Sequence, residues 1–280
     1  MNAGETESSY VYADVDWKYR TIVSFKPSHA TRTDLEEIML NNAGLYSDSD
    51  VVVAPDGSLY LAHYRGYGAN PFTGVYEGTT NSYVLRSEDN GYTWKLRGYI
   101  PYKEPDEEKD PYAHLQAGFS EASLAFMPDG SMLSLLRTCD VFQGAPEWGP
   151  TYLSRSYDGG STWEKPVYFK DRGALPQLLQ LANGVTLAVI TRPGIYVYAS
   201  RDCGYTWDEV VEVMPDTDRS QLANEPPEHP NFHQWAGSCC NCTILPLDDN
   251  RALLAYSDFY VPDEAGVKRK GIRTVEIVTD

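Results

Sequence analysis

The chain has no apolar run approaching the roughly 18 residues of a membrane-spanning helix, which excludes a helical span. It is poor in positive charge: 23 Lys and Arg stand against 40 Asp and Glu, a net charge of −17. The resulting long-range field repels nucleic acid and anionic membrane, so neither is expected as a partner. The opening Met1-Asn-Ala-Gly-Glu-Thr-Glu7 is acidic where a secretory leader is basic and then apolar. As written, the chain is expected in the cytoplasm, or in the periplasm or outside the cell if a leader was removed. Cysteine is scarce and odd in number, five in 280 residues, so no disulfide framework is implied. Three of the five cluster at Cys239, Cys240 and Cys242, and Cys239-x-x-Cys242 with His229 and His233 is the nearest approach to a zinc pattern. Ser238 to Leu247 reads instead as the core strand of a repeat, with Cys acting as a small apolar residue. No metal and no organic cofactor is expected.

What the chain does have is a phrase that occurs three times: Ser87-Glu-Asp-Asn-Gly-Tyr-Thr-Trp94, Ser156-Tyr-Asp-Gly-Gly-Ser-Thr-Trp163 and Ser200-Arg-Asp-Cys-Gly-Tyr-Thr-Trp207. Each reads Ser-x-Asp-x-Gly-x-Thr-Trp and follows an alternating apolar run, so each is a strand entering a tight turn. The Asp bonds turn amides, the Gly takes positive φ, and the Trp covers the hairpin. Five fixed positions found three times mark a repeat protein. A second repeated phrase is an apolar run, a Pro-Asp-Gly-type turn and a second apolar run. Its turns are Pro55-Asp56-Gly57, Pro128-Asp129-Gly130, Ala182-Asn183-Gly184 and Asp248-Asp249-Asn250.

Together the phrases predict units of four antiparallel strands, the blade of a β-propeller. Blades are expected near 48–100, 120–170, 174–214 and 238–280. The whole of 1–280 is read as one all-β domain, with four clear blades and five or six in the full ring. The last blade lacks the Trp turn; Ile272 to Val278 reads as its third strand, and an N-terminal strand is expected to complete it. Residues 1–46 are irregular, with strands at Tyr10 to Val15 and Arg20 to Phe25 and a short helix at Thr33 to Asn41. Long loops fall at Gly66 to Asn81, Tyr102 to Gly118, Cys139 to Pro150 and Met214 to Gly237. The last carries His233 and Trp235, a polar and an aromatic group suited to a sugar.

In a propeller, the start of each blade's first strand and the end of its second lie at one mouth of the central funnel. Counting seven residues back from the first three turns gives Asp48, Glu121 and Leu175, and nine back from the fourth gives Cys239, with Asp50 close to Asp48. The far ends of the second strands carry Arg65, Arg137, Arg192 and Ser257. Guanidinium groups grip carboxylates or sugar hydroxyls, and a pair of carboxyl groups suits glycoside cleavage. The same residues would equally serve as ion pairs bracing the blades.

The Ser-x-Asp-x-Gly-x-Thr-Trp turns resemble the Asp-boxes, or BNR repeats, of the sialidase (neuraminidase) superfamily across residues 47 to 258. Phe119-Ser-Glu121, with Arg137 in Leu135-Leu-Arg-Thr138, is similar to the segment bearing that family's tyrosine-activating glutamate and a substrate-binding arginine. Arg192-Pro-Gly194 resembles the segment of another such arginine. The chain departs from the pattern where Ser47-Asp-Ser-Asp50 replaces an Arg-Ile-Pro phrase, and where no Tyr stands near Cys239. The resemblance implies a glycoside hydrolase acting on a terminal sugar. Glu121, Asp48 and Asp50 would be its carboxyl groups, and Arg65, Arg137, Arg192, His233 and Trp235 its substrate-binding groups. The departures suit a neutral or differently charged sugar. A propeller that binds glycan or protein without catalysis is the other reading.

Overall fold

The structure is a computed structural model that describes residues 10–16, 21–28, 45–46, 50–65, 68–69, 76–77, 80–102, 109, 116–140, 149–192, 194–207, 209–215 and 241–280. The elements within these ranges are all β. The N-terminal strands β1 (Tyr10–Asp16) and β2 (Thr21–Ser28) pair with each other as a hairpin. The expected strands in this region are therefore present. However, β1 and β2 form a two-stranded sheet of their own, and among the described residues neither pairs with the last blade. The helix expected at 33–41 lies outside the described residues.

The first blade contains β3 (Leu45–Tyr46), β4 (Val52–Val53), β5 (Leu59–Arg65), β8 (Asn81–Ser87) and β9 (Lys95–Ile100), where β3 and β4 both pair with β5. Between β5 and β8 a small separate hairpin forms from β6 (Gly68–Ala69) and β7 (Tyr76–Glu77). The second blade runs in order through β10 (Gln116–Phe126), β11 (Met132–Asp140), β12 (Thr151–Ser156) and β13 (Val167–Lys170). The third is β14 (Gln177–Gln180), β15 (Thr186–Thr191), β16 (Ile195–Ser200) and β17 (Glu209–Met214). The fourth has three strands among the described residues, β18 (Cys242–Pro246), β19 (Arg251–Pro262) and β20 (Lys268–Val278). These four antiparallel sheets are arranged as a four-bladed β-propeller.

Apolar contacts between successive blades hold the arrangement. Tyr60, Ala62 and Val84 pack on Leu124, Met132 and Leu136 between the first and second blades. Leu133 and Leu135 meet Ala188 and Ile190 between the second and third. Leu187 and Val189 meet Leu254 and Tyr256 between the third and fourth. Alternate residues of each second strand thus face opposite neighbours, which is why these strands read as continuous apolar runs.

The repeated turns close one face of the ring, and their three copies share one set of bonds. In the second blade, Asp158 accepts from the Thr162 amide at 2.9 Å and the Thr162 hydroxyl at 2.6 Å, while the Gly160 amide donates to Ser156 at 2.8 Å. The Trp163 indole donates to the Gly160 carbonyl at 3.1 Å. Besides the expected glycine, the preceding position also adopts positive φ, as Asn90, Gly159 and Cys203. Each turn is also keyed onto its neighbours. Arg97 donates to the Gly159 and Asp158 carbonyls at 2.9 and 2.8 Å, and Arg155 to the Cys203 carbonyl at 2.6 Å. Arg201 reaches the Asp280 carbonyl at 2.7 Å, carrying the series to the fourth blade.

Candidate functional site

Away from these turns lie Glu121, Leu175, Arg137 and Asp50, four of the residues singled out by sequence. In the second blade the first strand extends beyond its expected start, back to Gln116, because it continues across to the first blade. The Phe119 amide donates to the Thr80 carbonyl at 2.8 Å, and Gly118 bridges Thr80. A Cβ at position 118 would lie 1.9 Å from that carbonyl oxygen, so only glycine fits. The β10–β11 ladder then shifts register between Ser120 and Ser123, and the displaced residue is Glu121, with φ of 42°. A bulge of this kind re-aims a side chain. Leu175, at the equivalent count in the third blade, has φ of 40°, and Arg192 has φ of 58°. Among the described residues, three of the five non-glycine residues with positive φ are thus Glu121, Leu175 and Arg192, and strained backbone of this kind clusters at functional sites.

Glu121 and Arg137 form an ion pair across the β10–β11 hairpin, with side chains 12% and 20% exposed. The other Glu121 oxygen accepts the Leu175 amide at 2.7 Å, so this carboxylate joins the second blade to the third. The Ser123 hydroxyl beside it accepts the Leu178 amide at 2.9 Å. From Leu175 the contacts continue around the axis. Its carbonyl lies 3.7 Å from the Cys242 sulfur, at the start of the fourth blade's first strand. The adjoining Thr243 hydroxyl donates to Asp50 at 3.3 Å, which brings the chain of contacts to the first blade. Asp50 is exposed.

Sequence reasoning therefore placed Glu121, Arg137 and Asp50 at one mouth, and the structure joins them through Leu175, Cys242 and Thr243. It did not foresee the Leu175 amide as a partner, because a backbone donor has no signature in side-chain identity. The equal seven-residue count to Glu121 and Leu175 was the available signal. The three arginines are not in one register. Arg65 and Arg137 are ladder residues opposite Asn81 and Thr151, whereas Arg192 follows the last β15–β16 pair, Thr191 with Ile195. The cause is the tight Arg192-Pro-Gly194 connection, in which the Arg192 amide donates to the Gly194 carbonyl at 2.9 Å. Arg192 is buried. Asp48, His233, Trp235, Cys239 and Cys240 lie outside the described residues. Cys242 packs against the apolar cluster between the third and fourth blades, as a core cysteine does.

No family model matches the sequence, and no curated protein matches it. Solved structures share its fold at low identity. A protein of unknown function from Dyadobacter fermentans matches with a TM-score of 0.58 and 18% identity, over 84% of this chain and 54% of that one. Xylan β-1,4-xylosidase from Bacillus halodurans matches with a TM-score of 0.51 and 15% identity, over 84% of this chain and 40% of that one. A variant of NanB sialidase from Streptococcus pneumoniae matches with a TM-score of 0.52 and 10% identity, over 75% of this chain and 47% of that one. The chain thus spans about half or less of the length of these structures.

Proposed function

We propose that the protein is a glycoside hydrolase acting on a terminal sugar bound at the mouth described above. The observation that carries this reading is the continuous series of contacts from Arg137 through Glu121, Leu175, Cys242 and Thr243 to Asp50, which gathers acids and a guanidinium from separate blades. The shared fold of the xylosidase and the sialidase agrees with it. So does the resemblance of the Ser-x-Asp-x-Gly-x-Thr-Trp turns to Asp-boxes.

Asp50 is the exposed carboxyl group and serves in proton transfer or nucleophilic attack, with Asp48 beside it in sequence. Glu121 acts with it. Two hydrogen bonds fix its orientation, and it holds Arg137 in place for the sugar. Arg65 and the buried Arg192 are the further guanidinium groups of this reading, and His233 and Trp235 its polar and aromatic sugar contacts. Two acids in place of the Arg-Ile-Pro phrase point to a sugar other than sialic acid. The anomer released reports the geometry, since retention needs carboxyl groups about 5–5.5 Å apart and inversion about 6.5–9.5 Å.

One observation favours the second reading, a propeller that binds glycan or protein without catalysis: both Glu121 oxygens are already engaged and little exposed. A panel of aryl glycosides, including a xyloside and a sialoside, separates the two with wild type and Glu121→Gln. The hydrolase reading expects turnover of at least one member and a fall of roughly a hundredfold or more in the variant. Turnover of none supports the binding module, and an unchanged rate removes Glu121 from the mechanism.

A further inference from the structure

Among the described residues, the fourth blade lacks the outer strand that follows the third strand in the other three. In the first three, the third strand is paired on both sides. In the fourth, β20 pairs with β19 alone among the described residues, leaving an eleven-residue edge. An edge of that length presents a row of backbone donors and acceptors to any strand that can lie beside it. A groove of about 430 Å³ runs between this edge and the outer strand of the third blade, lined on the apolar side by Val211, Val213, Val275 and Ile277. Val211 remains 53% exposed and Ile272, on the edge strand, 80%. These are surfaces that a fourth strand would cover.

The edge is also the most basic stretch of an acidic chain. Lys268-Arg-Lys-Gly-Ile-Arg273 places four cations in six residues of a protein with a net charge of −17. Arg273 is matched by Asp258 at 2.6 Å, and in the second half of the strand Glu276 is matched by Arg251 at 2.9 Å. The edge thus has a basic half, 268–273, followed by an apolar half, 274–278.

We propose that the edge of β20 binds an extended partner strand with apolar residues toward its N-terminus and acidic residues toward its C-terminus, which adds antiparallel as the fourth strand of the last blade. The direction follows the third and fourth strands of the other blades, which are antiparallel. It sets the partner's apolar half over 274–278, against Val211, and its acidic half beside 268–273. Main-chain pairing supplies affinity, and charge selects the partner.

The test is fluorescence anisotropy of a labelled peptide, Val-Thr-Val-Thr-Glu-Asp-Glu-Asp, with the full chain. Controls are the same peptide N-methylated at alternate amides and the variant Lys268→Glu with Lys270→Glu. Saturable binding is expected, weakened about tenfold or more by N-methylation and by charge reversal, with slowed amide exchange confined to 268–278. Absence of binding overturns the proposal and leaves the lysines as guards against edge pairing. Equal binding of the N-methylated peptide overturns strand addition in favour of simple charge attraction. Dimerisation through β20 would show that a second copy fills the edge, which also overturns it.

Discussion

The junction between the second and third blades and the seam between the fourth and first are built differently. At the junction, Leu133, Leu135, Ala188 and Ile190 are buried together, and Glu121 and Ser123 reach across to the Leu175 and Leu178 amides. At the seam, no apolar cluster spans the two blades among the described residues, and an Asp50–Thr243 hydrogen bond crosses it. Leu245, on the fourth blade's first strand, is 43% exposed. The chain of contacts at the mouth therefore has a fixed end, where Glu121 and Arg137 are held, and an open end, where Asp50 meets solvent. A site needs both: rigid groups to define geometry and an accessible group to meet the ligand.

Side-chain truncation tests this contrast with the largest expected effect. Leu135→Ala, within the apolar contact of the second and third blades, is expected to cost about 3 kcal/mol in denaturant unfolding. Leu245→Ala at the seam is expected to cost about 0.5 kcal/mol or less. Equal costs would mean that the seam is as well packed as the junctions. A smaller difference is expected for the polar links. Glu121→Ala removes a half-buried carboxylate from a guanidinium and an amide, at a cost of about 2 kcal/mol. Thr243→Val removes one hydroxyl near solvent, at about 0.5 kcal/mol. Similar losses from both would break the comparison.

How much of this was readable beforehand follows the repeat. The Trp turns were legible because one Asp bonds several groups within its own turn, a local requirement that fixes residue identities. The strand Lys95–Ile100 and the hairpins around Gly57, Gly130 and Gly184 were legible for the same reason. Glu121 and Arg137, sixteen residues apart, were legible because a hairpin of known length returns the chain. What escaped depended on neighbouring blades: the extension of β10 to meet Thr80 and the Leu175 amide. The register of Arg192 escaped because a tight connection after Thr191 displaces it from the ladder. Such features arise from contacts between repeats, which one repeat's sequence does not encode.

The smallest effect expected is in acid. Burial tends to raise the Asp158 carboxyl, but hydrogen bonds from the Thr162 hydroxyl and amide, Ser156 and the Ser161 amide outweigh it and bring it down from 3.8 to about 2. The folded value lies below the unfolded one, so this group's contribution is present above about pH 4 and is lost as pH falls through about 2. Asp89 and Asp202 shift in the same direction. Asp158→Asn should therefore flatten the fall in stability between about pH 4 and pH 2. An unchanged slope would show that the turn carboxylates are not what acid attacks.

The most direct measurement is the initial rate of aryl-glycoside hydrolysis by wild type and Asp50→Asn, with unfolding curves recorded alongside. If the exposed acid at the open end of the mouth does the chemistry, the rate falls by roughly a hundredfold or more while stability changes by less than about 1 kcal/mol. Equal rates for the two proteins would contradict a site built around Asp50.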